Sequence, residues 1–136
     1  MTDLAAIRDA AALLQGVVHR TPLAPSATFS RLVGAPVRLK CENLQRSGSF
    51  KVRGAYVHIR RLPPAERGKG VVTASAGNHA QGVALAAAAA GLKATILMPR
   101  YAPIAKVVAT EGYGARVLLE GETYDEAADR ARVLAA

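Results

Sequence analysis

The chain has 136 residues, of which 51% are hydrophobic and 21% charged, and its formal net charge is +8. This length predicts one domain, or one domain and part of another, and the apolar content is sufficient for a core. The composition excludes a disordered chain and a collagen-like fibre. No apolar run reaches the roughly 18 residues that cross a bilayer, so we expect no membrane partner.

The positive charge is concentrated in one segment, residues 38–69, which holds nine basic residues and two acidic ones. Such a segment can bind nucleic acid, a phosphate-bearing cofactor or an acidic protein surface. Its arginines flank an amphipathic helix without an aromatic stacking platform, so we expect no nucleic-acid partner. The single cysteine, Cys41, cannot form an internal disulfide and is typical of a cytoplasmic protein.

The N-terminal third contains signals for two helices and one strand. Apolar residues at helical spacing predict a helix over residues 4–14, with Thr2 as its N-cap. Prolines predict an extended connection over residues 21–25, and a short helix follows from Ser26 to Leu32. Apolar and charged residues alternate from Val37 to Glu42, which predicts a half-buried strand.

The rest of the chain alternates between strands and helices. Short apolar runs predict three strands, at residues 70–74, 94–98 and 117–119. Apolar stripes and capping residues predict four helices, at residues 52–62, at residues 80–90, near Pro103 and after the capping box Thr123–Glu126. This alternation predicts an α/β fold, with an open, mainly parallel sheet and helices on both faces.

The first candidate site is Ser47–Ala55, in which two serines precede a predicted helix and Lys51 falls in its first turn. A cation at a helix N-terminus lies against the helix macrodipole, and burial beside Phe50 would disfavour its charged form further. A lysine in this state can attack a carbonyl carbon and bond to it covalently. The alternative is an ordinary solvated lysine at the start of a helix.

The second candidate site is Ser75–Gly82, between a predicted strand and the next helix. Ligands of open α/β sheets bind beyond the carboxyl ends of the strands, where the free N–H groups of a helix attract anions. Asn78 either caps the helix or donates a hydrogen bond to a ligand oxygen. We therefore expect a carboxylate or a phosphate at this loop.

Together, the two segments resemble the cofactor-lysine segment and the substrate-carboxylate loop of the fold-type II pyridoxal-phosphate enzymes, in particular the threonine ammonia-lyases (threonine dehydratases). Four further segments are similar to the same family, at residues 20–23, 40–45, 98–103 and 106–115. The resemblance runs from about His19 to Arg132, with the segments in the family's order.

The resemblance implies a role for each candidate residue. Lys51 would bond covalently to pyridoxal 5′-phosphate and would remove the proton from the substrate Cα. Phe50 would flank the cofactor ring, and Asn78 would hydrogen-bond the oxygen on that ring. No metal site is implied, and the three histidines and one cysteine have no zinc-binding spacing. The substrate carboxylate would be bound by the loop Ser75, Ala76, Gly77, Asn78 and His79.

The implied reaction is the dehydration and deamination of L-threonine, and of L-serine, to 2-oxobutanoate or pyruvate and ammonia. The cofactor is the electron sink, and the protein supplies orientation and proton transfers. Serine racemases of this fold carry a serine where this sequence has Ala76, which cannot donate a proton, so racemisation is disfavoured. The alternatives are a racemase-type enzyme and a non-catalytic truncated paralogue that acts as an interaction domain.

The resemblance also predicts how the chain is divided. Residues 1–42 would belong to the large domain, and residues 43–136 would form the small domain of the tryptophan-synthase-β-like fold. The final helix has no stop signal before Ala136, whereas Met1 looks like a natural start. We expect a fragment whose glycine-rich phosphate loop lies downstream, so that the chain alone binds the cofactor poorly and turns over slowly or not at all. The longer protein is expected to be a homo-dimer or homo-tetramer.

Overall fold

The computed structural model describes residues 3–136. None of the helices within these residues is long and apolar enough to cross a bilayer. The elements follow in the order α1 (Leu4–Leu13), β1 (Leu23–Pro25), α2 (Ala27–Val33), β2 (Arg38–Lys40), a short 3-10 helix (Glu42–Leu44), α3 (Lys51–Arg60), α4 (Pro64–Arg67), β3 (Val71–Ala74), α5 (Asn78–Ala89), β4 (Ala94–Met98), α6 (Ile104–Gly112), β5 (Arg116–Leu119) and α7 (Tyr124–Ala135).

A parallel sheet in the order β3-β4-β5 forms the centre of the fold. Ile96 of β4 lies opposite Thr73 of β3 and Val117 of β5. Because β4 has a neighbour on each side, its central and final residues Ile96, Leu97 and Met98 are at most 1% exposed. The predicted open parallel sheet is confirmed, and each of its strands lies within one residue of the predicted bounds.

Helices cover both faces of this sheet, as the sequence predicts. Alternate residues of a strand point to opposite faces, so Ile96 and Met98 pack in the main core with α3 and α5. Leu97 instead packs against Ala127 and Ala131 of α7 on the other face. The buried face of α5 is made mostly of alanines, which allow neighbouring helices to approach closely.

Helices α3 and α5 lie very near each other at Gly82. A Cβ atom placed on Gly82 would be 3.0 Å from the Cβ of Lys51 and from the backbone N of Val52. Few real Cβ atoms have contacts as short as this, so only glycine fits without displacement of α3. Gly82 therefore fixes the first turn of α3 directly against α5.

The N-terminal third forms a separate antiparallel pair, with Leu23 of β1 opposite Lys40 of β2. The strand predicted over residues 37–42 is present as β2, but its predicted half-burial is wrong, because β2 has only three residues and all of them are exposed. No described element covers this pair, so Leu39 is 44% exposed. The predicted extended connection over residues 21–25 contains β1, which the prolines alone did not indicate.

The helix caps agree with the sequence in part. The predicted cap Thr2 lies outside the described residues, and the carboxylate of Asp3 caps α1 by accepting a hydrogen bond of 2.7 Å from the Ala6 N–H. Thr123 caps α7 as predicted. The Glu126 carboxylate accepts a hydrogen bond from the Glu122 N–H at 2.8 Å. It therefore provides an acceptor for the backbone N–H of the residue that precedes the N-cap.

Two helices differ from the sequence prediction. The helix predicted over residues 80–90 begins two residues earlier, at Asn78. The four-residue α4 begins at Pro64, where the sequence predicts only the end of α3. Proline suits the first turn of a helix because that position needs no N–H donor, so the second proline of the pair starts a new turn.

We expect Gly82→Ala to destabilise the full-length protein that the gene encodes, by about 1–3 kcal/mol in the free energy of unfolding. The added methyl group would be forced into the backbone of α3 at Lys51. Urea unfolding followed by circular dichroism measures this change.

Gly54→Ala is the matched control for this prediction, because Gly54 also lies inside a helix but has no atom within 4 Å of an added Cβ. For Gly54→Ala we expect the free energy of unfolding to rise by about 0.5–1 kcal/mol, since alanine restricts the unfolded chain more than glycine does. Equal effects of the two substitutions would contradict the proposed contact.

Candidate active site

Three helices begin close to one another without a side-chain cap. The residue at the N-cap position of α3, α5 and α6 makes no side-chain hydrogen bond to its helix, whereas the N-cap side chains of α1, α2 and α7 do. The first N–H groups of a helix have no partner within it and carry partial positive charge. Gly82 of α5 packs against Lys51 of α3. Asn78 of α5 contacts Lys106 of α6, so the positive charge of three helix ends is concentrated around α5.

Lys51 is the first residue of α3 and is exposed. Its Nζ atom lies 5.2 Å from the centroid of the Phe50 ring. The prediction that Lys51 is buried beside Phe50 is wrong for the described part of the chain, since Phe50 is itself 58% exposed and no described element covers it. Of the two serines expected at this helix start, Ser49 accepts a hydrogen bond from the Lys51 N–H through its Oγ, at 3.4 Å.

The loop that follows β3 is held by two hydrogen bonds. The Ser75 N–H donates to the carbonyl of Leu97 at 3.0 Å, which extends the ladder between β3 and β4. The Ser75 Oγ accepts a hydrogen bond from the Gly77 N–H at 3.2 Å. Ser75, Ala76 and Gly77 therefore lie at the carboxyl end of the sheet, directly before the first turn of α5.

Asn78 does not cap α5, because the N-cap position is Gly77 and Asn78 is the first helical residue. Of the two readings that the sequence leaves open for Asn78, the cap is therefore excluded. Its Oδ1 atom accepts a hydrogen bond of 2.9 Å from the Nζ of Lys106. The amide nitrogen of the same side chain is left to donate elsewhere.

His79 is the predicted site residue with a perturbed pKa. Partial desolvation, and then the positive charge of Lys51, lower the pKa of His79 below its ordinary value. The imidazole is therefore neutral at pH 7 and can accept a proton or a hydrogen bond on one ring nitrogen. This effect also places His79 within electrostatic reach of Lys51.

A groove of about 780 Å³ runs beside the site, along the edge of β3 and between α3, α5 and the end of α7. Ile59, Thr73 and Leu134 are among the residues that form its walls. His79 is the one predicted site residue, among those described, that also lines this groove. The groove therefore lies next to the predicted site and does not contain it.

A charged brace that the sequence analysis missed holds the helix of Lys51. The Arg53 side chain donates to both carboxylate oxygens of Glu42, at 2.7 and 2.8 Å. The hydrogen bond from Arg53 is the largest cause that lowers the pKa of Glu42 to about 2, and a hydrogen bond from Thr21 adds to it. The brace joins the N-terminal segment to α3 two residues after Lys51.

Lys106 is the other residue of this region to which the sequence analysis gave no role, although it begins the family-like segment 106–115. It is separated from Asn78 by 28 residues, so no local pattern indicates their contact. Only the approach of α6 to α5 shows that the two side chains meet.

Comparison with known proteins gives the family. Residues 14–136 match the sequence family described as "Pyridoxal-phosphate dependent enzyme". The chain belongs to this family. The family membership expected from the two site segments is therefore confirmed, and with it the class of cofactor that the family uses.

Three known proteins illustrate the similarity. The L-threonine ammonia-lyase of Thermotoga maritima is 55% identical over 131 residues, which are 96% of this chain and 33% of that protein. The structure of maize serine racemase has a TM-score of 0.89 at 38% identity, over 98% of this chain and 40% of that one. Threonine deaminase isoform 2 of Solanum lycopersicum, in its processed form, has a TM-score of 0.82 at 38% identity, over 98% of this chain and 38% of that one. The chain thus spans about a third of the length of the Thermotoga relative.

The described residues fit pyridoxal phosphate, an aromatic aldehyde that carries a phosphate group. Lys51 offers an amine that forms no ion pair with the carboxylates of residues 3–136. Phe50 offers an exposed ring beside that amine, and Asn78 offers an amide donor. The uncapped first turn of α5 offers backbone N–H groups to an anion. An amine that can bond to the aldehyde, a ring that can lie against the cofactor ring and donors for its oxygens are the groups that this cofactor requires.

We expect Glu42→Gln to lower the free energy of unfolding of the full-length protein by about 1–3 kcal/mol at neutral pH, because Arg53 loses its charged partner. The pKa of Glu42 is about 2 in the folded chain, against an ordinary value of 4.5. Its contribution is therefore complete above the ordinary pKa and is lost as the pH falls toward 2. Urea unfolding from neutral pH down to about pH 3 measures the difference.

Glu66→Gln is the control, since Glu66 is exposed and forms no ion pair within residues 3–136. It should change stability by less than about 0.5 kcal/mol at every pH. If the loss of unfolding free energy in Glu42→Gln stays constant down to pH 3, the lowered pKa of Glu42 is contradicted.

Proposed function

We propose that the protein is a pyridoxal-phosphate-dependent ammonia-lyase that converts L-threonine to 2-oxobutanoate and ammonia, and L-serine to pyruvate and ammonia. The observation that carries this proposal is the position of Lys51, an exposed lysine that begins α3 and whose backbone and Cβ pack against Gly82 of α5, one turn after a helix start that has no side-chain cap. The 55% identity with a Thermotoga maritima protein named L-threonine ammonia-lyase supports the choice of substrate.

Three side chains would hold the cofactor. Lys51 would bond to it through Nζ, Phe50 would lie against the face of its ring, and Asn78 would donate from its amide nitrogen to the ring oxygen. When bound, pyridoxal phosphate supplies an electron sink that makes the proton on the substrate Cα acidic.

The loop of residues 75–79 would bind the substrate carboxylate. Its backbone is held by the Ser75 hydrogen bonds, and it leads into a helix whose first N–H groups have no side-chain partner. Donors fixed in advance bind an anion without the cost of ordering them. A small amino acid held here presents its Cα to Lys51, on the neighbouring helix.

Lys51 would also act as the base. Once its amine is free, Nζ would take the proton from Cα, and the hydroxyl group on Cβ would leave as water with a proton supplied by the phosphate group of the bound cofactor. Water then replaces the amine nitrogen, which departs as ammonia, so the atoms of threonine appear as 2-oxobutanoate and ammonia.

Racemisation is the second candidate, because maize serine racemase has the same fold over nearly the whole chain. A racemase must return a proton to the opposite face of Cα. Ala76, in the carboxylate loop, has a methyl group that cannot donate one. Elimination is therefore the outcome that this loop favours.

We further propose that residues 1–42 belong to a larger domain and residues 43–136 to a smaller one, in a cytoplasmic homo-oligomer. The exposed strand pair of the N-terminal segment, with Leu23 and Leu39 uncovered, supports contact with further protein. Leu14 nevertheless packs in the main core, so the N-terminal segment also contacts the smaller domain. The free thiol of Cys41 is consistent with a reducing compartment.

The full-length protein with pyridoxal phosphate should release 2-oxobutanoate from L-threonine and pyruvate from L-serine, and it should form no D-serine. Lys51→Ala should lower kcat by at least about 1000-fold, since it removes both the covalent anchor and the base. Lys93→Ala, at an exposed lysine away from the site, should retain activity. Full activity of Lys51→Ala, or D-serine as the main product, would contradict the proposed function.

The 136-residue chain alone should bind pyridoxal phosphate at least about 100-fold more weakly than the full-length protein. The reason is that Phe50 and Lys51 lie on an open surface, and a ligand that is covered on one side only loses much of its contact. Titration of both proteins with the cofactor, followed by absorbance, measures the two dissociation constants. Equal constants would show that these residues suffice for binding.

A further inference from the structure

We propose that Lys106 is a positioning residue that fixes the orientation of the Asn78 amide, so that the amide nitrogen faces the cofactor. This inference rests on the proposed function, in which Asn78 donates a hydrogen bond to the cofactor ring. It adds a residue of α6 to a site that the sequence places on α3 and on the loop before α5.

The chemistry of the two side chains sets the orientation. A lysine ammonium group has three donors and no acceptor. The Asn78 atom that lies 2.9 Å from Lys106 Nζ must therefore be the carbonyl oxygen Oδ1. The donor Nδ2 is then on the opposite branch of the amide, directed away from Lys106.

Asn78 depends on Lys106 for this orientation. It is exposed and does not cap its helix. The contact with Lys106 is the one hydrogen bond that its side chain makes within residues 3–136. Without Lys106, rotation about the last torsion of Asn78 exchanges its oxygen and nitrogen freely, because the two arrangements have the same shape.

Lys106 is well placed to hold a fixed position. It is partly buried in the first turn of α6, and its N–H donates to the carbonyl of Pro103 at 2.8 Å. Thr110, which is fully buried, donates its hydroxyl hydrogen to the Lys106 carbonyl at 2.7 Å. The backbone from which the lysine side chain extends is thus anchored on both sides.

A direct electrostatic role for Lys106 predicts different behaviour. If the ammonium group acted only as a positive charge near bound anions, its removal would weaken binding by the same factor with or without Asn78. If it acts through the amide, its removal has an effect only while Asn78 is present. A double-mutant cycle separates the two.

The experiment uses the full-length protein and measures the dissociation constant of pyridoxal phosphate and the absorbance maximum of the bound cofactor. The substitutions are Lys106→Met, Lys106→Arg and Lys106→Glu, each in the natural protein and with Asn78→Ala. Lys106→Arg keeps a donor and should stay within about twofold of the natural protein. Lys106→Met should weaken binding about fivefold, the equivalent of one hydrogen bond.

Lys106→Glu is the decisive variant, because a carboxylate accepts hydrogen bonds and would attract the amide nitrogen. The Asn78 oxygen would then face the ring oxygen, which also accepts, and binding should weaken by at least about 20-fold with a shift of the absorbance maximum. With Asn78→Ala, the three Lys106 substitutions should differ from one another by less than about twofold.

Equal losses in both backgrounds, or a Lys106→Glu variant that binds as well as the natural protein, would overturn the proposal. Melting curves identify any variant that fails to fold, and Lys106→Met and Lys106→Arg then remain as the test. Failure of the proposed function has a separate signature, namely that the natural protein neither binds the cofactor nor deaminates threonine.

Discussion

The contact between Gly82 and the first turn of α3 is the constraint on which the site depends. It allows the backbone of α3 to lie against α5 at Lys51, and the charge of Lys51 reaches His79 in the loop of residues 75–79. The alanine-rich face of α5 extends this close packing along the helix. The parallel sheet then supports the loop from the other side, through the hydrogen bond between Ser75 and Leu97. One glycine thus links the candidate amine to the candidate anion site.

This packing has an electrostatic cost within the described chain. Lys51, in the first turn of α3, lies near helix starts that have no N-cap side chain, and it forms no ion pair within residues 3–136. A positive charge beside the positive ends of helix dipoles destabilises the folded chain. An anion that binds only the folded state recovers that free energy. The part of the +8 net charge that bears on function is therefore the positive charge at the candidate site, which has no negative partner within residues 3–136.

Local patterns in the sequence predicted the sheet, its covering helices and the residues of both candidate segments. Those patterns succeed because periodicity and caps act over a few residues, as at Thr123. They did not identify β1 as a strand, and they wrongly predicted burial for β2, whose three residues are all exposed. They also could not reveal the pairing of Glu42 with Arg53 or of Lys106 with Asn78, because each pair meets only through tertiary packing. The burial expected for Lys51 failed since Phe50, its neighbour, is itself uncovered.

The central claim is that Lys51 is the residue that bonds to pyridoxal phosphate. The most direct measurement incubates the full-length protein with the cofactor, reduces the bond with borohydride and identifies the modified lysine by peptide mass spectrometry. The account predicts one cofactor per chain, attached at Lys51. Labelling spread over several lysines, or concentrated at another lysine such as Lys106, would contradict it.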